Sequence, residues 1–117
     1  MIPVIDLGGT RTKFGLVDHG VVLEASACEA ASRGSIRDHL EEVSVLLEKL
    51  LAARGLSFSD CDGIGISSTG LVDGANARVL TTNGKYDDAV GFDFAAWGKQ
   101  RHGLPVRMAA SSSRRHA

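Results

Sequence analysis

"IDLGGTRTKFGLVD", residues Ile5 to Asp18, ends an apolar run on an acidic residue, continues through Gly-Gly-Thr and then resumes as a second apolar run. Pro3 to Asp6 and Lys13 to Val17 are β-prone, so the stretch reads as two strands joined by a glycine turn. Gly8 and Gly9 lack a Cβ, which lets a bulky anion approach backbone N–H groups, and Thr10 adds a hydroxyl donor. Asp6 at the strand end suits a Mg2+ ion, which keeps most of its water and takes few carboxylates. Lys13 and Arg11 supply positive charge against a phosphate. A plain tight hairpin, with Asp6 in a turn hydrogen bond, accounts for the same residues, and Gly-Gly alone does not separate the two readings.

Outward from this stretch, Asp18-His19-Gly20 is a second turn and Val21 to Ala27 a third strand, giving an antiparallel meander. Ser35 is an N-cap with Asp38 three residues on. Ile36, Leu40, Val43, Leu47 and Leu50 then fall at helical spacing as far as Gly55. Cys61 to Ser67 is too short for a helix and reads as a buried strand, so strand, helix and strand imply a right-handed crossover to a parallel neighbour. Ser68 to Lys85 is a long polar loop with brief strand pairing at Arg78 to Thr82, and loops of that length are commonly functional or disordered. Phe92 to Arg101 makes a second helix with Phe94 and Trp97 on its buried side, Gly103 closes it, and Leu104 to Met108 enters a fifth strand. The remaining AASSSRRHA has no apolar periodicity, so residues 1–108 are expected to fold and 109–117 to form an unstructured tail.

The 117 residues suffice for one compact domain, and 44% hydrophobic with 23% charged residues and 14 glycines describe a soluble, turn-rich globule. A formal charge of −1 provides no basic field for nucleic acid. No apolar run approaches the ~18 residues of a membrane span, and Met1-Ile2-Pro3 does not open a signal peptide, so the expected location is cytoplasmic. Cys28 and Cys61 lack CxxC spacing and read as reduced thiols packed near strand ends. His19, His39, His102 and His116 fall on a turn, a helix surface, a helix end and the tail, with no metal-ligand spacing. Glu41, Glu42, Glu48 and Lys49 read as the solvated side of the long helix.

DLGGTRTKFGLVD (Asp6 to Asp18), GIGISSTGLVDG (Gly63 to Gly74) and GLPVRM (Gly103 to Met108) resemble, in order and spacing, the N-terminal lobe of the ROK family of bacterial sugar kinases and regulators, within the actin-like ATPase superfamily. The resemblance implies an α/β fold of the ribonuclease-H-like kind. Its five-stranded mixed sheet would have three antiparallel strands first and the last two parallel to the first, with flanking helices. It further implies that Asp6, Gly8, Gly9, Thr10, Arg11 and Lys13 hold the phosphates and magnesium of ATP, with Asp6 as both metal-binding and catalytic group. The Ser67 to Val72 turn, with Ser68, Thr69 and Gly70, and the segment at Asn83 and Gly84 would face a hexose.

In the family, the strand matching Leu104 to Met108 runs into an Asn-Asp pair whose Asp is the general base, whereas here Ala109-Ala110-Ser111 follows. The second lobe and its zinc site have no counterpart in the sequence, which suggests a chain cut short. Three functions follow as expectations. The first is a ROK-type lobe that keeps phosphate affinity with little or no sugar kinase activity. The second is a small metal-dependent phosphohydrolase or nucleotidase using the Asp-x-Gly-Gly-Thr loop. The third is a non-catalytic folded module. Surface left bare by a missing lobe would self-associate, so a homodimer is expected, with or without strand exchange.

Overall fold

The computed structural model describes residues 1–8, 10–29, 35–68, 72–73, 78–79 and 92–110. The opening stretch forms β1 (Ile2–Leu7) and β2 (Arg11–Asp18), which pair antiparallel with Asp6 opposite Lys13 and Leu7 opposite Thr12. His19 and Gly20 turn the chain at φ 51° and 79° into β3 (Val21–Glu29), antiparallel to β2 with a bulge at Leu16/Val17. The expected three-stranded meander is therefore present.

Helix α1 (Ile36–Ala52) starts where the Ser35 hydroxyl accepts the N–H of Asp38 at 3.0 Å, satisfying one orphan donor of the first turn. It ends through Gly55 at φ 74°, with the Leu56 N–H returning to the Leu51 carbonyl at 2.9 Å. Its apolar stripe, Ile36, Leu40, Val43, Leu47 and Leu51, is at most 2% exposed and packs on the sheet. His39 differs from expectation: at 3% exposure it lies on that buried stripe rather than on the helix surface. Residue 39 is three positions from Ile36 and four from Val43, so the helical period places it inward and a polar partner makes its burial tolerable.

A 3-10 turn, Phe58–Asp60, follows, and its start is fixed by the Ser57 N–H bonding the Asp60 carboxylate at 2.9 Å. Strand β4 (Ile64–Ser68) pairs parallel with β1, and the short strands β5 (Val72–Asp73) and β6 (Arg78–Val79) pair with each other. Helix α2 (Phe94–His102) is capped by the Asp93 carboxylate, which accepts the Ala96 N–H at 2.9 Å, and by Gly103 in the left-handed region. Phe94 and Trp97 are buried as expected. Strand β7 (Val106–Ala110) pairs parallel with β4 and takes in Ala109 and Ala110, two positions past Met108.

The five-stranded sheet has the order β3-β2-β1-β4-β7, antiparallel across the first three strands and parallel across the last three. This is the α/β architecture expected from the sequence. Strand alternation sends Ile5, Leu7, Phe14, Leu16, Ile64, Ile66 and Met108 into the core beneath the helices. Cys28 and Cys61 are free thiols, both pushed above the ordinary thiol range chiefly by burial. Among the described residues no helix is long and apolar enough to cross a membrane.

Candidate functional site

The sheet register brings one residue from each strand into a single line: Ala27, Lys13, Asp6, Ser67 and Ala109. Pairing in register with one another, they share the face turned away from the core, near the C-terminal ends of the parallel strands β1, β4 and β7. Open α/β sheets bind ligands beyond these strand ends. The Ser67 hydroxyl donates to the Asp6 Oδ1 at 2.7 Å, which anchors the carboxylate and leaves Oδ2 without a partner among the described residues. Among the described residues neither Lys13 nor Arg11 has an ion-pair partner, and both are exposed.

The β1–β2 turn is drawn tight by the Gly8 N–H, which reaches both the Asp6 carbonyl and the Arg11 carbonyl at 3.1 Å. A Cβ on Gly8 would stand 2.6 Å from the Arg11 carbonyl oxygen, so the turn accepts no side chain there. Thr10 is exposed at the turn. Behind it, on the core side, Thr12 is fully buried and its hydroxyl lies 2.8 Å from Nε2 of His39. Burial holds the His39 imidazole below its ordinary pKa, against the opposing pull of Glu42, whose Oε1 is 3.6 Å from Nδ1.

The expected phosphate residues Asp6, Gly8, Thr10, Arg11 and Lys13 are thus brought together around one turn. Gly9 lies outside the described residues, as do Thr69, Gly70, Asn83 and Gly84 of the expected hexose face. Ser68 requires a correction. It is 2% exposed and pairs in register with Leu7, on the core side of the sheet, because side chains alternate along β4. The neighbouring Ser67 takes the open face. Its partnership with Asp6, absent from the sequence reading, depends on a parallel register that joins positions 61 apart.

Among the described residues no three His, Cys, Asp or Glu side chains group as a metal site. One anchored carboxylate with a free oxygen nonetheless fits Mg2+, which binds through one or two carboxylates, water and substrate phosphate. Beyond Ser67 in the same line stands Ala109, which offers no side-chain proton acceptor.

No protein-family model and no curated protein matches the chain. Solved structures do. A presumed N-acetylmannosamine kinase from Listeria monocytogenes matches with a TM-score of 0.74 at 24% identity, over 95% of this chain and 35% of its own. The inorganic polyphosphate/ATP-glucomannokinase of Arthrobacter sp. strain KM matches at 0.70 and 23% identity, over 96% and 45%. A ROK family transcriptional regulator, a homologue of the E. coli MLC protein, matches at 0.70 and 20%, over 95% and 28%. This chain shares the fold of one part of these ROK proteins. It spans only about a third of the length of the first of these structures. Kinases and a regulator both carry the ROK fold, so the fold by itself does not choose between their activities.

Proposed function

We propose that the chain is a ROK-type lobe that binds a magnesium-associated phosphoryl group at the β1–β2 turn and has little or no sugar kinase activity of its own. The observation carrying this reading is the Asp6 carboxylate, held by Ser67 at 2.7 Å on the open face and in register with the unpaired cation Lys13. When bound, Mg2+ supplies charge neutralisation for phosphate oxygens. The Thr10 hydroxyl and the Lys13 and Arg11 cations act on the same oxygens, while Ser67 keeps the Asp6 carboxylate from rotating away. ATP is the nucleotide the resemblance suggests, and a hexose the acceptor.

Transfer to a sugar hydroxyl needs a proton acceptor within hydrogen-bond reach of the attacking oxygen. Ala109 stands beside Ser67 where a second carboxylate would be useful, so Asp6, already committed to Ser67 and the proposed metal, is the one carboxylate among the described residues of this line. Isothermal titration with MgATP and with magnesium pyrophosphate, alongside ADP and phosphate release with and without hexoses, tests the proposal. Binding weakened at least ~10-fold in Asp6→Asn, consistent with loss of a charge-assisted contact, with no turnover, is the expected result. Hexose-dependent ADP formation lost in Asp6→Asn would show a working kinase, and hexose-independent phosphate release a phosphohydrolase. No binding at all would leave a non-catalytic module.

A further inference from the structure

Strand alternation turns Val106 and Met108 of β7 toward the core and sends Arg107 to the open face, in register with Gly65 of β4. Arg107 is exposed, and among the described residues it has no ion-pair partner. Carboxylates of the neighbouring strands are engaged elsewhere. Asp6 accepts from the Ser67 hydroxyl, Asp62 from the Met1 amine at 3.1 Å, and Glu24 pairs with Arg54 of α1 at 3.3 Å. Glu29 stands on the opposite side of the sheet, across from Arg11.

The phosphate reading of the β1–β2 turn makes no use of Arg107. Strand β4 separates it from Asp6, and the offset along the strands sets their Cα positions about 12 Å apart, at ~4.8 Å per strand and ~3.3 Å per residue. The surface between them is low. Gly65 has no side chain, Ala109 ends in a methyl group, and Val4 lies in register beside Gly65. One groove of about 470 Å3 runs over these residues and is lined by Asp6, Lys13 and Arg107 as well.

We propose that this groove takes an elongated substrate with an anionic group at each end. A phosphoryl group occupies the β1–β2 turn, a second phosphate or a carboxylate sits on Arg107, and the carbon body lies over Gly65 and Val4. Sugar bisphosphates and phosphorylated sugar acids belong to this class. The inference rests on the phosphate reading of the turn and extends it.

Arginine suits the distal role, because its planar fork binds a phosphate or carboxylate through two parallel hydrogen bonds. The charge of the face agrees. Among the described strand residues turned to it, Arg11, Lys13 and Arg107 stand against Asp6 and Glu29, and Mg2+ on Asp6 adds to the positive excess, so a ligand with two anionic groups is the complementary one. A charged side chain on an edge strand also discourages pairing between sheets, and β7 is an edge of this sheet. Ligand length separates the two roles.

Calorimetry of the full chain in magnesium buffer tests the inference, with hexanediol bisphosphate, hexyl phosphate and magnesium pyrophosphate as probes. Hexanediol bisphosphate is expected to bind at least ~10-fold more tightly than hexyl phosphate, the gain from one added charge-assisted contact. Arg107→Gln should abolish that advantage while leaving the hexyl phosphate and pyrophosphate affinities and the melting temperature unchanged. Arg107→Lys should keep part of it. Asp6→Asn should weaken all three probes. Equal binding of the two hexyl compounds, beside measurable pyrophosphate binding, overturns this inference and leaves the phosphate reading standing. An advantage that survives Arg107→Gln also overturns it, and Arg107 is then an edge-strand charge. Bisphosphate binding that needs Arg107 but ignores Asp6→Asn overturns the bridge between the two points. Binding of none of the probes overturns the phosphate reading and this inference together.

Discussion

Beneath the β1–β2 turn the Thr12 hydroxyl and Nε2 of His39 stand 2.8 Å apart with no access to solvent, linking the strand that leaves the turn to the first coil of α1. A second histidine does similar work at the other end of the fold. Nε2 of His102 lies 3.0 Å from the Ser44 hydroxyl, and its ring stacks on Phe58 with centroids 3.8 Å apart. Both imidazoles are held neutral. His102 is lowered to about 4, chiefly by burial and then by Arg101, while Glu41 opposes.

Acid should therefore unfold the protein through these two side chains. Their folded pKa values lie below the ordinary 6.5, so the unfolded chain takes up protons first. The stabilisation is complete above pH 6.5 and drains away as the pH falls towards 4. Urea unfolding at pH 7.5, 5.5 and 4.5 should show a loss on the order of 2 kcal/mol over that window, after allowance for the partial exposure of His102. His102→Phe, which can still stack on Phe58, should flatten the acid limb. Stability that is level from pH 7.5 to 4.5 would contradict the assignment.

At Gly98 the helix α2 lies tight against β7. A Cβ there would stand 2.3 Å from Cγ2 of Val106. Gly98→Ala should cost about 1–3 kcal/mol in chemical denaturation, as overpacking does. Adding Val106→Ala should cost less than the sum of the two single changes, because the second substitution removes the atom in the way.

Gly8→Ala meets backbone rather than a movable side chain, since its Cβ would lie 2.6 Å from the Arg11 carbonyl oxygen. The turn must open, so magnesium pyrophosphate affinity should fall at least ~10-fold in calorimetry. The core is remote from this change, so the melting temperature should move by only a few degrees. Equal affinity in the variant would remove the turn from the binding site.

Leu40 is fully buried in the stripe of α1. Leu40→Ala should destabilise by about 2–5 kcal/mol, a large share of a small domain's stability, read from the midpoint of denaturant unfolding.

Local chemistry made much of this fold legible. Ser35, Gly55 and Gly103 announce helix ends by residue type, and Phe94 and Trp97 face inward as their spacing requires. The glycine turn marked the region where Asp6 and Lys13 converge. What stayed hidden depends on register or on polar burial. Ser67 and Ser68 are chemically identical neighbours, and only the pairing of β4 with β1 decides which joins Asp6. His39 and Ser44 belong to the buried stripe of α1 but look like surface residues until Thr12 and His102 appear as their partners. The same stripe ends on Leu51, where a search for apolar residues alone selects Leu50. The 3-10 turn at Phe58–Asp60 rests on a carboxylate-to-backbone bond within a four-residue stretch too short to show periodicity.

The line through Lys13, Asp6 and Ser67 also orders events during folding. Lys13 meets Asp6 across a short hairpin, a contact that closes within microseconds in an isolated chain. Ser67 reaches Asp6 only after the loop of 61 positions containing α1 has closed and β4 has found its register, the slower kind of step. A nascent chain therefore acquires the turn before it acquires the fixed carboxylate. On the proposed phosphate reading, affinity for magnesium pyrophosphate followed during refolding would become a clock for the arrival of β4.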